Sequence, residues 1–194
     1  MCINDEIDIK IGEFKDGVLN GKGLKNAVDK DIYFIGEFKD GSYEEGVTIT
    51  EEGNVFIGKQ ENLHLEGYCA TIVKVSEINK DGWTTEIGEF KDGWLSEGVY
   101  LNSRGDNVFE TAYIGKFSDD DLEGERIIED GSRAIGDFKG GNLHGKAVLV
   151  QPEGDVMVAG YENGVLKGKL LIYTPDEPDE WKEVDAEKDV FDKK

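Results

Sequence analysis

This sequence of 194 residues has little of what catalysis and covalent cross-linking use. It holds two cysteines (Cys2 and Cys69), two histidines (His64 and His144) and three prolines. Two cysteines make no disulfide framework, and Cys69 reads as a small buried thiol. Basic residues are also short: 22 Lys and Arg face 43 Asp and Glu, a net charge of −21. A surface of that sign repels phosphate backbones and anionic headgroups, which disfavours direct nucleic-acid binding and docking to anionic membranes. No apolar run approaches the length of a bilayer span. The start, Met1-Cys2-Ile3-Asn4-Asp5-Glu6, has neither the basic nor the apolar segment of a secretory leader. These shortages point to a soluble, cytoplasmic protein.

What is present is glycine, 26 residues of it, together with nine Phe, seven Tyr and three Trp. Glycine at that level weakens helices but suits short strands joined by tight turns. The aromatics supply enough apolar surface for an ordered core despite 34% charged residues. The glycines also recur in register. Taking Gly12, Gly36, Gly58, Gly88, Gly115, Gly136 and Ala159 as position zero, successive copies lie 21 to 30 residues apart. A branched residue precedes zero in every copy, from Ile11 to Val158. A ring follows two residues later in all but Gln60, and a leucine or Tyr43 follows seven later.

Each copy reads as a β-hairpin. Around zero the residues alternate, as in Phe34-Ile35-Gly36-Glu37-Phe38, so rings and the zero glycine share one face and Ile shares the other with a charge. Glycine between two rings leaves room for a neighbouring ring or backbone. Lys-Asp-Gly and Glu-Asn-Gly supply turn chemistry. One hairpin cannot bury its aromatic face, so stacking is required. The fold class is all-β, an elongated single-sheet solenoid of about seven hairpins.

The stretches Lys10-Ile11-Gly12-Glu13-Phe14-Lys15-Asp16-Gly17 with Gly21-Lys22-Gly23, and Ile135-Gly136-Asp137-Phe138 with Leu143-His144-Gly145, resemble MORN repeats. The resemblance spans residues 9 to 173. It implies a scaffold or interaction module more than a catalyst, and this places a repeat domain at 1–173. Copies depart from the pattern at Lys10, Glu86 and Ala134, where an aromatic is expected, and at Gln60 and Leu63. Glu45-Gly46 and Glu97-Gly98 place the late glycine differently, which implies bulges. The longest interval carries Ser76 to Trp83 as an extra loop. Residues 174–194 form an acidic C-terminal helix or tail. Thr174 as N-cap, Pro175 and Glu177 read as a helix start, and Trp181, Val184 and Phe191 share a face that caps the last sheet edge.

No catalytic constellation stands out. His64 has no companion at ligand spacing, and Gly21-Lys22-Gly23 lacks the spacing of a phosphate loop. The chain reads as non-enzymatic, with no cofactor and no metal. Candidate protein-binding residues are Trp83 in the insertion and Trp94, whose column elsewhere holds Val18, Ser42, His64, Asp121, Asn142 and Val165. Tyr43, Phe56 and Tyr113 join them if the ring face lines a groove, as does the acidic run Asp119-Asp120-Asp121, read first as a solvated turn. The expected partner is a protein, for which a basic surface would suit the charge. Two alternatives use the same charge or resemblance: a counter-defence inhibitor blocking a nucleic-acid-binding surface of a host enzyme, or a MORN-variant antitoxin. Oligomeric state is left open.

Overall fold

A computed structural model describes residues 9–27, 32–61, 64–77, 80–104, 108–119, 121–177 and 180–185. All regular structure among them is β. The chain forms two compact units, Met1–Gly98 with Ser103–Asn107, and Val99–Asn102 with Val108–Lys194. The first holds β1 (Ile9–Lys15), β2 (Val18–Ala27), β3 (Ile32–Lys39), β4 (Ser42–Ile49), β5 (Val55–Glu61), β6 (His64–Glu77), β7 (Lys80–Lys91) and the start of β8 (Trp94–Arg104). The second holds β9 (Val108–Ser118), β10 (Asp121–Ile128), β11 (Arg133–Lys139), β12 (Asn142–Val150), β13 (Val156–Glu162), β14 (Val165–Tyr173) and β15 (Lys182–Asp185). Within each unit, strand order across the sheet is strand order along the chain.

Two kinds of turn alternate. The inner turns are two residues long with positive φ at both, as at Asp40 (48°) and Gly41 (83°), between the paired Lys39 and Ser42. This is the type I′ geometry whose twist matches that of the flanking strands. It recurs at Asp16-Gly17, Asp92-Gly93, Gly140-Gly141 and Asn163-Gly164. The outer connections at Thr50–Gly53, Ile128–Gly131 and Gln151–Gly154 are built alike. In each the glycine N–H donates to the carbonyl three residues back, at 2.9 Å. A type I turn closed by a left-handed glycine is the usual three-residue hairpin loop. Inner turns are also tied to the preceding hairpin. The N–H groups of Gly41, Gly93 and Gly164 donate to the carbonyls of Leu19, Leu65 and Leu143 at 2.9, 3.1 and 2.8 Å.

The zero glycines line up across strands. Gly12 pairs with Gly23, Gly23 with Gly36, Gly36 with Gly46, and Gly46 with Gly58. The backbones approach so closely that a Cβ on Gly36 would lie 2.0 Å from the Glu45 carbonyl oxygen and 2.8 Å from the Gly46 Cα. A Cβ on Gly46 would meet the Ile35 oxygen at 2.2 Å. In the second unit the column turns to alanine at Ala147 and Ala159, and the approach relaxes: a Cβ on Gly136 meets the Lys146 oxygen at 2.8 Å.

On the turn side of this column each ring faces an anchor across its hairpin: Phe38 opposite Tyr43, Phe117 opposite Leu122, Phe138 opposite Leu143. Leu65, Cys69 and Phe90 form one buried cluster with Phe56 and Leu95 against it, and Phe138 centres the other. Each such side chain, fully buried, contributes about 1.5–3 kcal/mol. The opposite face carries the branched residues. Through the registers of β1 to β7, Ile11, Leu24, Ile35, Val47, Ile57, Ala70 and Ile87 stand side by side.

Two expectations are corrected. The insertion around Ser76–Trp83 is not an added loop. β6 runs on to Glu77 and β7 starts at Lys80, pairing from Gly67↔Phe90 to Glu77↔Lys80, and Val73, Val75, Trp83, Thr84 and Thr85 are all good strand formers. The capping helix is also absent from the described residues. Thr174–Glu177 closes a turn (Glu177 N–H to Thr174 O, 3.0 Å), and Lys182–Asp185 adds to β14 as a strand. Pro175 suits the second position of such a turn as well as a helix start. The open edge of β14 offers a row of unpaired backbone groups that a strand satisfies and a helix does not. Tyr173 and Trp181 close this corner, ring centroids 5.6 Å apart. Phe191 lies outside the described residues.

Gly36→Ala is expected to destabilise the first unit by about 2–4 kcal/mol, since backbone rather than a flexible side chain blocks the methyl. Gly53→Ala, where the methyl meets open space, leaves only the positive-φ strain of about 1 kcal/mol. Urea unfolding of both variants checks the ordering.

Candidate interaction surface

Trp94 opens β8 directly after the Asp92-Gly93 turn and is 80% exposed. Its column faces solvent throughout, with Val18, Ser42, His64, Asp121, Asn142 and Val165 all exposed. In other copies that residue is partly used by the next turn. His64 Nδ1 lies 3.1 Å from the Asp92 carbonyl, and Asp121 Oδ1 accepts the Gly140 N–H at 3.2 Å. Trp83 differs: it sits within β7, half-buried, and its carbonyl accepts a hydrogen bond from Ser103 Oγ at 3.1 Å.

The remaining candidates divide. Tyr43, Phe56 and Tyr113 lie on the ring face and are half-buried. Phe56 packs on the Leu65–Cys69–Phe90 cluster, and Tyr113 contacts Tyr100 at 5.9 Å. Asp119 occupies an inner turn at φ 51°, which is turn chemistry. Asp120 lies outside the described residues. Among the described candidates, Asp119 and Asp121 belong to one inner turn, while Tyr43, Phe56, Trp83, Trp94 and Tyr113 lie on five different strands.

Tyr43 lines a cavity of about 370 Å³ with Lys25, Phe34, Phe38 and Gln60. It exists because the third copy holds Gln60 where other copies hold a ring. Gln60 Nε2 donates to Thr48 Oγ1 at 3.0 Å. The Tyr43 hydroxyl is buried without a hydrogen-bond partner. Burial pushes its phenol up, and the nearby Thr48 hydroxyl opposes this only in part. Farther along the same face, Glu86 stands where an aromatic is expected. Burial raises its carboxyl and the Thr71 hydroxyl, donating at 3.2 Å, works against that.

Groups that could do chemistry are dispersed. The Cys69 thiol is buried and donates toward the Glu66 carbonyl at 3.3 Å, and burial raises it, so the unreactive protonated form is favoured. Among the described residues no three His, Cys, Asp or Glu side chains are placed to hold a metal ion.

Sequence reasoning missed how the departures are repaired. Where Ala134 replaces an aromatic, Arg126 from the neighbouring strand stands over the Phe138 ring, 5.2 Å from its centroid. Only the register places Arg126 opposite Ala134, so no local signal could reveal it. The outer turns were also missed, although a signal for them exists: Glu-Glu-Gly, Glu-Asp-Gly and Pro-Glu-Gly recur at Gly53, Gly131 and Gly154.

The family model of the MORN repeat matches residues 11–25 and 135–156. These stretches lie in the first and sixth hairpins. MORN repeats generally serve as protein- or membrane-binding modules. Comparison with curated proteins gives no match.

Because the folded-state carboxyl of Glu86 titrates above its ordinary value, its contribution to stability is complete below the ordinary carboxyl range and is lost as pH rises through the raised value. Glu86→Gln copies the protonated form. Its melting temperature is expected to exceed that of the parent by about 2 °C at pH 7 and to match it near pH 4. Equal temperatures at both pH values would refute the assignment.

Proposed function

We propose that this MORN-repeat protein is a non-catalytic interaction module that binds a protein partner through one face of its repeat sheet. Trp94 carries the reading. A tryptophan 80% exposed on a strand is costly to leave in water and belongs to the residue class most often found at interface hot spots. The strand holds its backbone rigid, so little ordering entropy opposes docking. The charge of −21 favours a partner with basic groups and supplies long-range attraction that salt would screen. We place the protein in the cytoplasm and assign it no reaction. In support, the Cys69 thiol is buried and His64 is held against the Asp92 carbonyl.

Affinity capture with the full chain, read by mass spectrometry, is expected to enrich a protein partner at low salt. Trp94→Ala is expected to weaken that capture by roughly tenfold or more, the scale of a hot-spot truncation. Equal recovery on the parent and on uncoated resin would sink the reading.

A further inference from the structure

The branched face of the first unit is an apolar belt with an acidic border. Ile11, Ile35, Ile57 and Ile87 are 64%, 43%, 44% and 39% exposed, and the strands between them contribute Leu24, Val47 and Ala70 in the same row. A second row beside it runs from Tyr33 through Ile49 and Val55 to Ile72, and Ile9 stands beyond Asn26 at its start; Ile9, Tyr33 and Ile72 are exposed. On the turn side of the belt the exposed residues Lys22, Glu37, Glu45 and Lys59 pair in sequence across β2 to β5, and exposed Glu13 on β1 and Glu89 on β7, the latter opposite Tyr68, bring the glutamates to four against two lysines. Lys59 is itself engaged by Glu61 at 3.6 Å. The corresponding row of the second unit is interrupted, because Glu125 lies between Ile114 and Ile135 and is paired with Arg133.

An exposed apolar patch that is contiguous over seven strands and rimmed by charge is unusual on a surface with no partner. We infer that this belt is a docking site for an amphipathic helix with apolar residues along one stripe and lysine or arginine beside it. The inference rests on the interaction-module reading above and names the face and the partner chemistry. Three observations select the occupant. Six strand intervals make a belt of roughly 29 Å, which a helix of about 19 residues spans at its rise per residue. The row of glutamates asks for cationic groups a side chain's width from the apolar stripe. A second copy of this chain would bring glutamate rows and two charges of −21 together, so a basic partner is favoured over self-association.

The test uses the full chain and a labelled 20-residue Leu/Lys amphipathic helical peptide, read by fluorescence anisotropy. A Leu/Glu peptide of the same pattern serves as comparison. Ile35→Thr, Ile57→Thr and Ile87→Thr together keep β-branching and net charge while removing apolar surface. Ile57→Thr alone is the fallback if the triple variant loses its β circular-dichroism spectrum, and Ile135→Thr is the control in the second unit. Binding of the Leu/Lys peptide that weakens at least tenfold in the triple variant, at least threefold in the single one, and not in the control supports the site. Absent binding, or binding equal in parent and variants, overturns it, since the second result would be charge attraction alone. Two other results also overturn it: parent self-association abolished by the substitutions, and substitution-sensitive binding to phosphatidylcholine vesicles with none to the peptide. A lysate partner lost with Trp94→Ala but indifferent to the threonine variants would overturn this inference and leave the broader reading standing.

Discussion

Backbone meets backbone at the glycine pairs, and the two-faced sheet follows from that approach. A strand whose neighbour lies within 2.0 Å of where a Cβ would sit accepts only one register, because moving by one residue puts a side chain into that space. The irregularities respect this constraint. The register shifts of the hairpins fall beside the column, between Gly12 and Phe14, Glu37 and Phe38, Ile57 and Lys59, Gly136 and Asp137, and Ala159 and Gly160. The displaced glycine at Glu45-Gly46 announced such a bulge, and the structure extends it to most copies. With register fixed, rings and leucines fall on one side of the sheet and branched residues on the other.

The hairpins and their inner turns were legible in sequence because each rests on local chemistry repeated many times. Ring, gap, turn and anchor occupy constant offsets, and a type I′ turn leaves its mark as Asp-Gly, Gly-Gly or Asn-Gly. What escaped reading depends on partners distant in sequence. Thr174-Pro175-Asp176-Glu177 carries a sound helix-start signal, yet the edge of β14 supplies a competing set of hydrogen bonds that local reasoning does not weigh. Arg126 over Phe138 is of the same kind. The long interval reads as a loop at Trp83, whereas the β-branched Thr84 and Thr85 beside it and the pairing of Trp83 with Lys74 make it a strand.

The candidate surface was legible only in part. Trp94 stood out because its column holds polar residues elsewhere, and exposure follows from a column that meets solvent in every copy. The two faces could be separated by parity, but which of them satisfies itself could not. The ring face closes over its own contents: Phe34 and Phe38 lie 5.3 and 5.6 Å from Tyr43, and the departures at Gln60, Glu86 and Ala134 are met by Thr48, Thr71 and Arg126. The branched face has no such closure in the first unit, where Ile11, Ile35, Ile57 and Ile87 are exposed.

The long β6–β7 pair extends outward from the glycine column for many residues without disturbing Gly88, Phe90 or the turn at Asp92. Length is thus absorbed at the outer connection, while the inner end is locked to its neighbour by the glycine-to-leucine carbonyl bond. Such an array has a fixed margin and a free margin. Over generations of duplication and drift, new sequence can accumulate along the free margin hairpin by hairpin, each addition invisible to the next. The fixed margin keeps the copies recognisable to one another.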